Sequence, residues 1–231
     1  RLSLVGSEMC IRDRYISWEI EKKSNFGIDM GLFRGRVDIT ADYFHNRRED
    51  ILIQRVTIPT ATGFRQNPWQ NFGVTTNEGF DASITVKHNI GKDWVLSARG
   101  NVTCAVNKII EKDEIPQAYP WLAQTGTSIG TNKIYVAEGL FTNQDFIITE
   151  KSDGSYNYKL KDGIATYAAD VKPGDIKYKD LNGDGVIDDN DQTYYSGIYP
   201  NNPQLVYGFG LNVQYKGIYA GVFFQGVGRT S

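Results

Sequence analysis

The sequence has few of the side chains on which most enzyme active sites depend. It contains two histidines and two cysteines among 231 residues. His45 and His88 each lie in a strand-like segment without a recognisable nucleophile motif, and Cys10 and Cys104 show neither metal-binding nor redox spacing. We therefore predict that the chain is not an enzyme and has no disulfide framework.

Long apolar runs and a surplus of one charge are also absent. No stretch approaches the roughly 18 consecutive apolar residues that a transmembrane helix needs. The formal net charge is −2, with acidic and basic residues mixed along the chain, so nothing predicts binding to nucleic acid. There is no secretory signal at the N-terminus, but residues 1–14 match nothing that follows. We interpret 1–14 as a non-native leader and residues 15–231 as the protein proper.

An acidic stretch, Pro173 to Gln192, carries the spacing of an EF-hand-type calcium loop. Oxygen-bearing residues occupy positions 1, 3, 5, 7, 9 and 12 of a twelve-residue segment, 180–191, and a glycine holds position 6. The predicted ligands are Asp180, Asn182, Asp184, the Val186 carbonyl, Asp188 and Asp191. Position 12 is aspartate instead of glutamate, and no amphipathic helix precedes the loop. We therefore expect a freestanding, dockerin-like loop that binds structural Ca²⁺ weakly; the alternative is an acidic turn with solvated carboxylates.

The remaining sequence alternates apolar and polar residues in six stretches of about ten residues, which predicts an all-β protein. The apolar series begin at Phe26, Val37, Phe80, Trp94, Leu205 and Ile218. Short turns alternate with long connections, at about 55–76 and 107–204, a pattern typical of an antiparallel transmembrane β-barrel with short periplasmic turns and long extracellular loops. Six strands cannot close such a barrel, so this interpretation requires part of a larger one. A soluble β-sandwich with one wet face is the alternative, and it would enclose the apolar side chains in a core.

Aromatic residues are concentrated in the predicted long connections. They are Trp69, Phe72, Tyr119, Trp121, Tyr194, Tyr195 and Tyr199. Such rings could stack on sugars or pack against a partner protein, or they could simply hold the long loops together.

Five stretches, in order, resemble the C-terminal barrel region of SusC/RagA-type TonB-dependent transporters. They are 18–52 (WEIEKKSNFG…REDIL), 71–84 (NFGVTTNEGFDASI), 134–141 (IYVAEGLF), 173–192 (PGDIKYKDLNGDGVIDDNDQ) and 207–226 (YGFGLNVQYKGIYAGVFFQG). The resemblance implies about six strands of a 22-stranded barrel, located in the Gram-negative outer membrane and in contact with its lipid. It further implies import of glycans or peptides with a SusD-like surface lipoprotein, driven by TonB through parts outside this chain, such as the plug and the TonB box.

Two other functions remain open at this level. The first is a secreted, calcium-dependent carbohydrate-binding β-protein, which would stay soluble without detergent. A glycoside-processing enzyme would need a pair of carboxylates acting as acid and base, and no such pair is recognisable.

Overall fold

The computed structural model describes residues 16–58, 67–168, 170–194 and 199–230, and within these ranges the chain has no α-helix. No helix in this described part is long and apolar enough to span a membrane. The strands are β1 Ile20–Leu32, β2 Val37–Gln54, β3 Trp69–Ile90, β4 Trp94–Glu111, β5 Ile134–Tyr135, β6 Ala137–Leu140, β7 Phe146–Glu150, β8 Tyr156–Leu160, β9 Ile176–Tyr178, β10 Gln192–Thr193, β11 Leu205–Tyr215 and β12 Ile218–Gly228.

Six strands form one antiparallel sheet in the order β1-β2-β3-β4-β11-β12. Every neighbouring pair is joined directly along the chain, so the sheet is a simple meander, except for the long segment inserted between β4 and β11. Tight turns join β1 to β2, β3 to β4 and β11 to β12. Gly35 and Gly91, with φ of 76° and 64°, supply the left-handed conformation that two of these turns need. The predicted all-β antiparallel fold with short and long connections in alternation is confirmed.

Three strands are much longer than the sequence predicts. β2, β3 and β4 have 18, 22 and 18 residues, whereas about ten were expected for each. The predicted connection 55–76 is therefore wrong at its end, because β3 begins at Trp69. The predicted segment 107–204 is wrong at its start, because β4 runs to Glu111, and it is not irregular throughout, since it contains β5 to β10. The cause is that backbone pairing continues where both faces of the strands become polar and the apolar alternation stops.

The large sheet encloses no hydrophobic core. All thirteen residues of β1 are exposed, and large apolar side chains such as Ile28, Leu211 and Phe224 are among the exposed residues of the sheet. Two buried apolar residues of the described chain, Val74 and Ile109, lie near the polar ends of β3 and β4, and the others lie outside the sheet: Leu122, Phe141, Phe146, Val171 and Ile187. A soluble sandwich would have its apolar faces covered by protein, so that alternative is not what the chain forms.

Contacts divide the chain into two compact units. The first comprises the described residues up to 115, together with 124–131 and 199–230, and contains the six-stranded sheet. The second comprises 116–123 and the described residues from 132 to 194. It has its own small core of Phe141, Phe146 and Val171, in which the two phenylalanine rings meet edge to face with centroids 5.8 Å apart.

Asp113 anchors the start of the β2–β3 connection to the segment that follows β4. Its carboxylate accepts hydrogen bonds from the backbone N–H groups of Val56 (2.5 Å) and Thr57 (3.1 Å) and from the Thr57 hydroxyl (2.7 Å). The Arg55 Nε lies 3.0 Å from the same carboxylate, whose side chain is only 4% exposed. Burial on its own raises the pKa of Asp113, but the Arg55 guanidinium and these donors outweigh it and hold the pKa well below its usual range.

We expect this anchor to fail in acid. Because the folded-state pKa of Asp113 is depressed, its contribution is present above the unfolded value of about 4 and is lost as the pH falls through the folded value. The hydrogen-exchange protection of the Val56 and Thr57 amides, relative to an unstructured chain at the same pH, should fall below about pH 4. Asp113→Asn should produce the same loss of protection at neutral pH, with a loss of about 2–3 kcal/mol in local stability. The control is Asp153→Asn, which changes an exposed turn carboxylate that accepts from Ser155. Unchanged exchange at Val56 and Thr57 in Asp113→Asn would contradict this role.

Candidate functional site: the two faces of the sheet and the acidic loop

One face of the six-stranded sheet is a continuous apolar surface. The strand register places apolar residues side by side across β1, β2, β3, β4, β11 and β12 in four complete rows, followed by two shorter rows. The rows are Phe26–Tyr43–Phe80–Cys104–Leu205–Gly228, Ile28–Ala41–Ala82–Val102–Tyr207–Gly226, Met30–Ile39–Ile84–Gly100–Phe209–Phe224, Leu32–Val37–Val86–Ala98–Leu211–Val222, His88–Leu96–Val213–Ala220 and Ile90–Trp94–Tyr215–Ile218. His88 contributes an imidazole to the fifth row. We call these six rows the apolar band.

The height of the apolar band fits the hydrocarbon layer of a membrane. At about 3.4 Å per residue, the stretch of β3 from Phe80 to Ile90 extends about 34 Å. A strand tilt of about 45° reduces this to a height of about 24 Å, close to the roughly 25 Å apolar belt of outer-membrane barrels. Aromatic rings occupy both ends. Tyr43 and Phe80 lie at one end, and Trp94 packs on Tyr215 at the other with ring centroids 4.4 Å apart. An exposed surface of this size and height is suited to contact with lipid.

The opposite face of the same strands is polar, and its charges are unevenly distributed. Thr40, Asp42, Asp81, Ser83, Asn101 and Thr103 surround a shallow groove of about 200 Å³. Four aspartates of this face, Asp29, Asp38, Asp42 and Asp81, belong to β1, β2 and β3, whereas the basic Lys87 and Arg99 lie on β3 and β4. Such a face is suited to lining water.

Glycines on the polar face of β11 make room for an aromatic ring. A Cβ at Gly208 would lie 2.7 Å from Cζ of Phe223, and one at Gly210 would lie 2.8 Å from Cδ2 of the same ring. The Arg99 guanidinium carbon lies 4.7 Å from the centroid of the same ring, within the range of a cation–π contact. These two glycines therefore lie on the polar face of β11.

Segment 180–191 folds as a closed acidic turn built around Asp191. This side chain is fully buried, and its two carboxylate oxygens accept from the backbone N–H groups of Leu181 (2.8 Å), Asn182 (3.4 Å) and Asp188 (2.9 Å). Asp180 accepts from the N–H groups of Gly183 (2.6 Å) and Gly185 (2.8 Å). The backbone therefore needs the aspartates at positions 1 and 12 to satisfy its donors.

The other predicted ligands point outward or serve the same turn. Asn182 Oδ1 accepts from the Asp184 N–H at 3.0 Å, Asp184 Oδ1 accepts from the Val186 N–H at 2.8 Å, and Asp188 Oδ1 accepts from the Asn190 N–H at 2.7 Å. These oxygens are hard donors of the type that Ca²⁺ prefers. As these side chains stand, no three acidic, histidine or cysteine residues of the described chain lie close enough together to hold a metal ion. Calcium binding at this turn stays a prediction.

The predicted aromatic residues do not gather at one place. Tyr119 and Trp121 stack with centroids 4.7 Å apart and an interplanar angle of 10°. The Trp121 indole donates to the Asn190 carbonyl (2.7 Å), and the Trp121 carbonyl accepts from the Tyr194 N–H (3.3 Å). These three residues thus hold the acidic turn against the segment before it. This is the role in which the aromatic residues simply hold the long loops together.

The other aromatic candidates lie outside that cluster. Trp69 and Phe72 are residues of β3, so their placement in a loop was wrong. Phe72 carries the Arg55 guanidinium 4.6 Å from its ring centroid. Tyr199 belongs to the first unit, and Tyr195 lies outside the described residues.

A cleft in the second unit was not anticipated from the sequence. It has a volume of about 540 Å³ and is lined by Tyr135, Tyr167, Tyr178, Gly174, Asp175, Ile176 and Ile187. The Tyr178 ring lies 5.3 Å from that of Tyr135 and 5.5 Å from that of Tyr167. Burial and, to a smaller extent, the negative charge of Asp175 raise the pKa of Tyr167. The three tyrosines come from β5, the segment before β9, and β9 itself, so no local pattern could have grouped them.

The chain is similar in sequence to several TonB-dependent receptors. No protein-family model matches the chain. It is 26% identical over 222 residues to the TonB-dependent receptor P3 of Formosa agariphila, covering 91% of this chain and 20% of that protein. It is also 27% identical over 189 residues to the TonB-dependent receptor SusC of Bacteroides thetaiotaomicron, covering 78% of this chain and 17% of that protein. The chain thus spans about a fifth of the length of the curated relatives it matches.

Solved structures share the fold. The RagAB peptide importer in its open-open state superposes with a TM-score of 0.61 at 20% identity, over 93% of this chain and 21% of the RagAB chain. The closed-closed state gives 0.56 over the same share of this chain. Sequence relatives, fold and an apolar band of membrane height agree with the resemblance found in the five sequence stretches. The chain is therefore similar in sequence and fold to the barrel region of the SusC/RagA-type TonB-dependent receptors, which are outer-membrane proteins of Gram-negative bacteria.

Proposed function

We propose that this chain forms part of the barrel wall of a receptor that imports nutrients across the outer membrane. The observation that carries the proposal is the division of one sheet into an apolar band about 24 Å high and a polar face. Such a wall separates lipid from a water-filled path, and nothing in this arrangement calls for catalysis. Its role is to bound and line the path of a solute.

The proposal includes a partner and an energy source. Relatives named TonB-dependent receptor, and the fold shared with the RagAB peptide importer, support dependence on TonB and on a SusD-like surface lipoprotein. The contact with TonB would involve regions of the receptor beyond the fifth that this chain spans. Glycans and peptides are the two candidate substrate classes, and the polar face offers carboxylates, hydroxyls and an amide that can hydrogen-bond to either.

The first prediction concerns the membrane position of the sheet. In the receptor that contains this sequence, with Trp94 kept as its single tryptophan and the receptor placed in bilayers, brominated lipids should quench the fluorescence strongly because Trp94 ends the apolar band. The control keeps Trp121, which serves the acidic turn, and should be quenched little. Equal, weak quenching of both, with a protein that stays soluble without detergent, would contradict the barrel wall and favour the secreted carbohydrate-binding alternative.

The second prediction concerns transport. Cells carrying the receptor should take up either a labelled oligosaccharide or a labelled oligopeptide, and a protonophore or loss of the lipoprotein partner should abolish uptake. Asp42→Arg with Asp81→Arg should reduce uptake of a cationic substrate about tenfold, the factor that about 1.4 kcal/mol of repulsion produces. Asp93→Arg, in the exposed turn between β3 and β4, is the control and should leave uptake unchanged. Uptake that is indifferent to the protonophore would contradict TonB-driven import.

Calcium at the acidic turn is part of the proposal as a structural ion. Binding would require the half-buried side chains of Asp180 and Asn182 and the exposed side chains of Asp184 and Asp188 to turn from backbone donors toward a common point. Asp191 would keep the turn closed meanwhile, because its carboxylate is fully buried and bonded to three backbone N–H groups. The ion would stiffen a turn that is already formed, without creating its fold.

We expect EGTA to increase proteolysis within 180–191 while leaving the strands intact. Asp184→Asn keeps an oxygen for the Val186 N–H but removes one charge, so it should weaken Ca²⁺ binding about tenfold, equal to about 1.4 kcal/mol, in a calorimetric titration. Asp189→Asn is the matched control, since Asp189 occupies position 10, which is not a ligand position. Proteolysis that is equal with Ca²⁺ and with EGTA would rule out the bracing role.

A further inference from the structure

The face that carries the apolar band continues beyond it as a band of charged side chains. The register of β1 to β4 places Ser24, His45, Glu78 and Val106 in the next row, and Lys22, Arg47, Thr76 and Lys108 in the row after that. These rows lie two and four residues beyond Phe26, about 7 and 14 Å along a strand. At a tilt of about 45° they stand about 5 and 10 Å above the end of the apolar band.

This charged rim, defined as Lys22, Arg47 and Lys108, lies on the side of the long connections. Beyond the row that contains Phe26 and Phe80, the sheet continues toward the 55–68 and 112–204 connections. At the other end of the apolar band, Ile90, Trp94 and Tyr215 lie next to the short turns. Since long loops of outer-membrane barrels are extracellular, the charged rim stands at the headgroup level of the outer leaflet.

The basic side chains outnumber the acid that contacts them. Lys22 Nζ and Arg47 Nε both pair with the carboxylate of Glu49, the latter at 2.7 Å, and their side chains remain 66% and 40% exposed. Lys108 has no ion pair within the described residues and is exposed. In the row below, His45 Nδ1 lies 3.4 Å from Glu78. Three cations therefore face outward in one row against a single shared carboxylate.

We infer that the charged rim binds the phosphate groups of anionic lipid in the outer leaflet. Arginine and lysine are the side chains that recognise phosphate, arginine through a fork and lysine as a point charge. A lipid headgroup fits better than a free anion, because the same face continues into the apolar band. One molecule can thus place its acyl chains beside Phe26 and Phe80 while its phosphate reaches Lys22, Arg47 and Lys108. The inference rests on the proposed position of the sheet in the outer membrane.

The test is lipid A binding by the intact receptor in nanodiscs of neutral phosphatidylcholine. Each basic residue beside an anionic headgroup contributes a factor of about five, so Lys22→Gln with Arg47→Gln and Lys108→Gln should weaken lipid A binding about a hundredfold. Lys108→Gln alone should weaken it about fivefold. This single variant removes no ion pair found within the described residues, so it provides the test if the triple variant does not fold.

Glu49→Gln gives a prediction of opposite sign. Because Glu49 occupies both Lys22 and Arg47, its neutralisation should release them and strengthen lipid A binding about fivefold. A protein that merely needed its surface ion pairs for folding would bind less lipid in this variant. The matched control is Lys87→Gln with Arg99→Gln, which removes two cations from the polar face and should leave binding unchanged.

Three results would overturn the inference. They are wild-type affinity in the triple variant, an equal loss in the polar-face control, and a decrease with Glu49→Gln. Full displacement of lipid A by millimolar inorganic phosphate would likewise overturn it, since the site would then take a free anion. Brominated-lipid quenching of Trp94, measured in the same samples, shows whether the sheet lies in the membrane. It therefore distinguishes these outcomes from failure of the proposed function.

Discussion

The structure depends on the requirement that backbone N–H and C=O groups be paired wherever water is absent. In a hydrocarbon layer only a helix or a closed sheet meets it, and this chain meets it with a sheet whose register is uninterrupted along the apolar band. Because a one-residue slip would turn every side chain to the opposite face, the register also determines which residues meet lipid. The irregularities lie beyond the apolar band. One is a bulge next to Asp50, which has a φ of 57° and whose carbonyl accepts from the Asn71 amide at 2.6 Å.

The two units obtain their stability in different ways. The apolar band covers no protein core, so in the proposed barrel wall its residues would be stabilised by surrounding lipid and by closure of the larger barrel. The second unit carries the Phe141, Phe146 and Val171 cluster together with the hydrogen-bonded acidic turn, both of which are stable arrangements in water. Loss of lipid would therefore affect the sheet before the second unit.

Sequence reasoning succeeded where the pattern was local and failed where distant residues meet. The alternation at Phe26–Leu32 or Leu205–Tyr215 predicts a strand and its two faces, because a two-residue period is visible in ten residues. The parts of β2 to β4 beyond the apolar band were not predicted, since polar residues such as Thr76 and Asn77 occupy both faces there and only backbone pairing shows the strand. The contacts of Asp113 with Thr57 and the meeting of Tyr135 with Tyr178 span dozens of residues, so no spacing rule could reveal them. At the acidic turn the sequence predicted six ligands, but it could not show that the Asp191 carboxylate accepts hydrogen bonds from three backbone N–H groups.

The uneven charge of the polar face has a consequence for whatever moves along it. With aspartates on β1 to β3 and Lys87 and Arg99 on β3 and β4, the wall carries a transverse electric field directed from β4 toward β1. A zwitterionic solute experiences a torque in such a field, which brings its positive end toward β1 and its negative end toward β4. An uncharged oligosaccharide feels no comparable torque, so a barrel wall of the proposed kind would orient a peptide with free termini but leave a neutral sugar free to rotate.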